Sequence, residues 1–410
     1  MATSVARMLT VVLVSMLLTP HVHAESAVEL DEIVKLAPID LGIEGAAIDP
    51  LGEKVIVYGA ESYLNLLDAS DPTIRTDLVW SDELQSQWIN LHAGDFHPGG
   101  QTALIVGDSG EVLRYALSDH SVTDAGGDLE FGNVDLHSVA WNPGGSWAYV
   151  GGSEGWLWRM RAAADGGAEV HLIEGRGSSD VTAIDCNTDQ ALCVVTSLVD
   201  GIGVIDRNHG LYWIGGTGYP WQDVYCPPVE TGQCVAISDD RNIGLISLNS
   251  VIPWWSDLSI SQITGIEGTF TGISPQHGDR SIVSATPFSL FEHDLSQNGT
   301  FPWLENSDVE EFNVSIAGHR VVSSWATDRD SGWILTDRGT LIQYHPHSEA
   351  IPGGVLGAWV LIAIPAATAL VILSVGLSFS PRLQNWFTQR FGTADEKRMA
   401  RHEGRRKRRR

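Results

Sequence analysis

Apolar residues in this chain come in short runs of three to five, separated by clusters of Gly, Pro, Asn, Asp and Ser. Val55-Ile56-Val57-Tyr58, Ala103-Leu104-Ile105-Val106 and Trp147-Ala148-Tyr149-Val150 set the pattern. Runs this short, rich in β-branched and aromatic residues and bounded by turn formers, predict strands rather than helices. One turn recipe precedes each of the three: Asp49-Pro50-Leu51-Gly52, His97-Pro98-Gly99-Gly100 and Asn142-Pro143-Gly144-Gly145. Proline presets φ at the second position and glycine closes the fourth, as a type I turn requires. The turns start 48 and 45 residues apart, close to the ~40–45 residues of one four-stranded propeller blade.

The strand, turn, strand pattern can be followed seven times. Blades one to three place their inner strands at Ala46–Ile48, Gly94–Phe96 and Ser138–Trp141. Blades four and five replace the proline turn with cysteine-bracketed ones, blade six contains Ser281-Ile282-Val283, and blade seven contains Trp333–Thr336 and Thr340–Tyr344. Outer strands are expected at Leu78–Trp80, Val170–Ile173, Leu211–Ile214 and Phe301–Trp303. Blade seven has no outer strand of its own. Val28 to Leu36, with apolar residues at Val28, Leu30, Ile33, Val34 and Leu36, is expected to supply it and so close the ring and protect its edges. The stretch Trp141-Asn142-Pro143-Gly144-Gly145-Ser146-Trp147-Ala148-Tyr149-Val150-Gly151-Gly152 resembles the inner-strand, turn and second-strand core of the WD-repeat and YVTN-type β-propeller superfamily. That resemblance spans roughly Glu25 to Ala350 and implies a rigid ring used mainly for binding. The expected fold is all-β: a seven-bladed β-propeller over residues 25–350, closed by an N-terminal strand, with one transmembrane helix after it.

Both ends carry targeting signals. Arg7, the apolar stretch Met8 to Leu18 and Val22-His23-Ala24 read as a secretory signal over residues 1–24 cleaved after Ala24, with an uncleaved anchor as the alternative. Val355 to Phe379 gives 25 consecutive residues without a charge, enough to cross a bilayer, so residues 351–380 are expected to span it. The basic tail, 381–410, ends in Arg405-Arg406-Lys407-Arg408-Arg409-Arg410 and is expected in the cytoplasm. A single-pass cell-membrane protein with its N-terminal domain outside follows. Its outer part, Glu25 to Ala350, holds 13 basic against 48 acidic residues, and only Lys35 and Lys54 are lysines. Such a domain will not bind nucleic acid through phosphate neutralisation. A surface adapted to salt water or attraction of cations and basic partners are the two readings of that charge.

Four cysteines lie in the outer domain, Cys186 with Cys193 and Cys226 with Cys234, and each pair brackets a turn. In an exported chain they are expected to form two hairpin disulfides. Strand alternation puts the turns between second and third strands on one face, together with the links between blades. On that face Glu61, Asp108, Glu154, Asp200, Asp239, Asp240 and Asp337 place a carboxylate in six blades of seven. Such residues serve tight turns in their own right; as a ring they would attract Ca²⁺ or a basic protein. Near the axis, Glu44, His92, His137 and, in looser register, Asp180 are candidates for a divalent metal or for hydrolase or lyase chemistry, with caps on the inner strands as the structural alternative. Asn298 and Asn313 head glycosylation sequons. No HExxH or GxxxxGK[ST] motif occurs. The favoured function is a tethered surface module that binds a protein, a glycan or a cation on its acidic face; an axial-channel enzyme and an assembly factor for a membrane complex are the alternatives.

Overall fold

The computed structural model describes residues 26–346, apart from positions 83, 85–87, 165–166, 229–230, 265, 267, 306–308, 310–315 and 317. It also describes 386, 388, 390–395 and 397–398. The chain divides into two compact units, Met1–His347 and Ser348–Arg410.

The first unit is a ring of seven blades, whose sequential antiparallel strands run outward from the axis in chain order. Blade 1 consists of Ile43–Ile48, Lys54–Gly59, Leu64–Asp68 and Arg75–Thr76; blade 2 of Leu91–Phe96, Thr102–Gly107, Val112–Ala116 and Ser121–Asp124. Blade 3 follows as Leu136–Trp141, Ala148–Gly152, Leu157–Ala162 and Ala168–Leu172, and blade 4 as Val181–Asn187, Leu192–Ser197, Gly201–Ile205 and Leu211–Gly215. Blade 5 is Trp221–Tyr225, Gln233–Ser238, Asn242–Ser247 and Asp257–Gln262; blade 6 is Thr269–Pro275, Arg280–Thr286, Ser289–Asp294 and Gly299–Leu304. Blade 7 has three sequential strands, Val321–Asp328, Ser331–Thr336 and Thr340–Pro346, and takes its fourth from Val28–Lys35.

That leading strand pairs antiparallel with Thr340–Pro346 in the register Val28 to Pro346 and Lys35 to Thr340, as expected from its apolar spacing. Val28 and Leu30 enter the core with Trp303, Ile334, Ile342 and Tyr344. Pairing with this strand covers the Thr340–Pro346 edge, a row of backbone donors and acceptors that would otherwise template aggregation. Seven separate apolar clusters, one between each pair of neighbouring blades, hold the ring together. Second strands lie between two such clusters, which is why Val55-Ile56-Val57 and Ala103-Leu104-Ile105-Val106 are apolar on both faces and fully buried.

The repeated turns form by the chemistry their sequences specify. Asp49 Oδ1 accepts the Glu53 and Lys54 N–H groups, and Asn142 Oδ1 accepts those of Ser146 and Trp147. Gly52, Gly100 and Gly145 occupy left-handed positions at φ 69°, 70° and 64°. Gly145 is constrained twice, because a side chain there would also strike the His97 ring, whose Nε2 lies 3.0 Å from the Gly145 carbonyl and joins blade 2 to blade 3. Both expected disulfides, Cys186–Cys193 and Cys226–Cys234, close the hairpins of blades 4 and 5.

One strand differs from expectation. Val79–Trp80 is not the outer strand of blade 1; it pairs in parallel with Ser121–Val122 on the outside of blade 2. Asp68 and Asp71 cause the difference. Their carboxylates cap the N–H groups of Ser70, Asp71 and Thr73 and reverse the chain early, so that Arg75–Thr76 takes the edge against Leu66–Leu67.

In the second unit the described positions 386, 388, 390–391, 394–395 and 397–398 are helical. Among the described residues no helix is long and apolar enough to cross a membrane; the leader and the candidate span Val355 to Phe379 lie outside them.

Candidate functional site: the carboxylate face and the axial channel

The links between blades and the turns between second and third strands share one face, as the strand alternation requires. The residue just before an inner strand reaches back to clasp the turn of the preceding blade. Asn90 Oδ1 accepts the Glu61 N–H (3.3 Å), Asp135 Oδ1 the Ser109 N–H (3.0 Å) and Asp180 Oδ1 the Glu154 N–H (2.8 Å). Glu61, Ser109 and Glu154 all sit at left-handed φ, between 54° and 57°. That conformation costs a non-glycine residue on the order of 1–3 kcal/mol and persists only where the surroundings fix it, as the clasp does here. Asp180 therefore belongs with Asn90 and Asp135 in register and function.

Several predicted carboxylates are engaged in the same way. Asp200 accepts the N–H groups of Ser178 and Ser179, both at 2.7 Å, and the hydroxyls of Ser178, Ser179 and Ser197. Burial works against its charge, but these donors outweigh it and hold the carboxyl below the usual range. Asp337 accepts the Arg320 N–H at 3.0 Å. Asp239 and Asp240 line a shallow polar depression beside Arg241. Glu61 and Glu154 are exposed. Among the described residues no three His, Cys, Asp or Glu side chains converge closely enough to hold a metal ion. Six of the blades do carry an acidic residue on this face, but the carboxylates are spread around its rim.

At the mouth of the axial channel the two predicted histidines do meet, with ring centroids 5.5 Å apart. His92 Nε2 lies 2.6 Å from Asp108 Oδ1, and His137 Nε2 lies 2.9 Å from Ser153 Oγ. Asn90 steadies the second oxygen of Asp108 at 2.8 Å. Burial, reinforced by the neighbouring His92, holds His137 below the ordinary imidazole range and so favours its neutral form. Glu44 faces Arg320 at 3.7 Å across the same mouth. Behind them a channel of about 280 Å³ is lined by Tyr58, Gln222 and Asp223, among others. The Tyr58 ring packs onto Gly45, where any side chain would collide with it, and lies close against Gly94.

Deeper in the ring stand three carboxylates that sequence reading missed. Asp95 Oδ2 accepts the Trp141 N–H (2.8 Å), Asp185 Oδ2 the Cys226 N–H (2.6 Å) and Asp223 Oδ2 the Ile273 N–H (2.9 Å). Each ties its inner strand to the inner strand of the next blade. Burial dominates their titration and raises them to about 7, 7 and 6, with the donated N–H groups pulling the other way. Asp95 and Asp223 also push Asp185 upward by their charge. A sequence signal did exist: Gly94-Asp95-Phe96, Ile184-Asp185-Cys186 and Gln222-Asp223-Val224 each set an aspartate inside an inner strand.

A further concavity lies beside the channel rather than in it, on the same face. A cleft of about 770 Å³ opens between blades 1 and 2, walled by Ile39–Gly42, Ala60–Leu64 and parts of the blade 1 to blade 2 link at Trp80, Leu84 and Trp88. Its walls are tied together. Ala60 N–H donates to Gly42 O (2.8 Å), Ser62 N–H to Ile89 O (2.6 Å) and Ile89 N–H back to Ser62 Oγ (3.0 Å). Trp88 and Ile39 are 77% and 68% exposed, and Asp40 and Glu61 stand at the rim. Asn298 is exposed in a turn on the opposite face of blade 6, and Asn313 lies outside the described residues.

No protein-family model matches the chain, and no curated protein matches it in sequence. Solved structures do match by shape. The β-propeller domain of Myceliophteria thermophila Cps50 (Swd1) superposes with a TM-score of 0.59 at 8% identity, covering 77% of this chain and 99% of that one. The chain therefore has the fold of a WD-repeat-like β-propeller.

Proposed function

We propose that this protein is a membrane-tethered surface module that binds a soluble partner on the carboxylate face of its ring. The cleft between blades 1 and 2 is the observation that carries the reading: a concavity of about 770 Å³ with exposed tryptophan at its edge is the kind of surface that monomers keep for a ligand or partner. The third strand of blade 7 starts at the Asp337 turn on the carboxylate face and ends at Pro346 on the opposite one. The charge-free stretch Val355 to Phe379 and the basic tail support the tether and a cytoplasmic C-terminus. Protein or glycan partners fit the cleft; Ca²⁺ would need carboxylates from a partner to complete its oxygen ligands.

Alkaline extraction of membranes and protease treatment of intact cells test the tether. The expected result is a chain that stays with the membrane and loses its ring to external protease. Recovery in the soluble fraction, or a ring protected until cells are opened, contradicts the reading. A second reading, hydrolase or lyase chemistry at the channel mouth, draws on the neutral His137 beside Ser153 and the His92–Asp108 pair. Alanine at both histidines is expected to leave partner binding intact; loss of a turnover measurable in the wild type would favour the enzyme instead.

A further inference from the structure

The cleft between blades 1 and 2 also carries information about what fills it. Leu41, Leu64 and Leu84 line it beside Trp80 and Trp88, with Ser62 and Tyr63 adding polar groups. Charge at its rim is negative. Asp40 and Glu61 line the opening, and the nearest ion pair to Asp40 is Arg338 at a loose 3.7 Å, both side chains being largely in water. Arg75 is turned away, donating to the carbonyls of Leu36 and Lys35. Around the cleft lies a domain with 13 basic and 48 acidic residues, whose field concentrates cations and repels anions.

We infer that the cleft takes an extended segment of a partner protein in which one aromatic or aliphatic anchor is flanked by lysine or arginine. This rests on the reading of the ring as a binding module and names the chemistry of its partner. The anchor buries against Leu41, Leu64, Leu84 and Trp88, while the flanking cations pair with Asp40 and Glu61. The Ala60–Gly42 and Ser62–Ile89 hydrogen bonds hold the Ile39–Gly42 and Ala60–Leu64 sides of the cleft in place, so binding pays little to order them. A central apolar anchor supplies affinity and rim charges supply partner choice and association rate.

Fluorescence anisotropy of the full chain in detergent tests this with labelled short peptides. One series has lysine flanks with Trp, Leu or Gly at the centre; two more peptides carry Trp between glutamate or serine flanks; maltohexaose serves as a competitor. The lysine-flanked Trp and Leu peptides are expected to bind best and to weaken as salt is raised. Trp88→Ala, and separately Asp40→Asn with Glu61→Gln, should each weaken that binding roughly tenfold or more without changing the melting temperature, since all three side chains are exposed. Lysine peptides that bind regardless of their centre, and equally to the Trp88 variant, would mean general attraction to a polyanion and overturn the inference. Serine-flanked Trp binding as well as the lysine form, or displacement by maltohexaose, overturns the cationic or the peptide assignment and leaves the binding module standing. If no probe binds and a photo-crosslinker placed at position 88 captures nothing on cells, the inference and the binding reading of this cleft fall together.

Discussion

Replacing Asp185 with asparagine should change how the stability of the ring depends on pH. In the folded chain both carboxylate oxygens of Asp185 accept backbone N–H groups, from Cys186 at 2.7 Å and from Cys226 at 2.6 Å. Burial nonetheless raises the group from 3.8 to about 7. The folded chain binds the proton more tightly than the unfolded one, so this group's contribution is full below the unfolded value and is lost as pH rises toward about 7. Between pH 5 and pH 8 the loss is on the order of 2–3 kcal/mol, at 1.36 kcal/mol per pKa unit. Asp95 and Asp223 act in the same direction and titrate together with it. Urea unfolding of residues 25–350 at a series of pH values reads the effect. The wild type should be more stable at pH 5 than at pH 8. Asp185→Asn should flatten that slope by on the order of 2 kcal/mol, while losing about 1–3 kcal/mol at pH 5 because an amide cannot accept both N–H groups. A variant whose curve runs parallel to the wild type would refute the assignment of Asp185 as a titrating clasp between blades.

The acid limb should have the opposite sign. Hydroxyl, backbone and Lys54 donors hold Asp68 at about 2 against its burial, and Asp200 and Asp294 are also held low, so stability should fall as pH drops below about 4, visible in the same melts. Alanine at Cys186 and Cys193 together opens a loop of sequence separation 7 and should cost about 2–3 kcal/mol by the chain-entropy relation, measured by the shift of the urea midpoint. His137 should show the nitrogen chemical shifts of a neutral ring, titrating below the ordinary imidazole range, in NMR of selectively labelled protein; an ordinary titration would contradict its burial beside His92.

What was legible in the sequence was local. The Asp49, His97 and Asn142 turns carry their own acceptors and glycines, and the cysteine pairs bracket hairpins a few residues wide, so both could be placed from adjacent residues. The closing strand was legible because blade 7 lacked a partner and Val28–Leu36 had the right alternation. Where the partner is chosen by distant chain, reading failed. Val79–Trp80 looks like any outer strand, and only the early reversal set by Asp68 and Asp71 hands the edge of blade 1 to Arg75–Thr76. The same limit governs the site. Carboxylate positions on the shared face were readable, yet the task of Asp180 is set by the Glu154 turn 26 residues away. The work of Asp223 is set by Ile273, 50 residues on. The cleft was not anticipated at all, since its walls come from three segments with no common motif.

Closure of the ring by its own leading strand sets the frame in which the carboxylate turns share one face, and paired cysteines test that closure most directly. Glu29 and His345 stand opposite each other in the register of the closing strand. Cysteines at both positions are expected to form an intramolecular disulfide under mild oxidation and to raise the unfolding midpoint, whereas a pair at Glu29 and the exposed Asp257 of blade 5 should not link within one chain. Failure of the first pair to link, or linking only between chains, would contradict the closed ring and with it the shared face on which the carboxylate turns are placed.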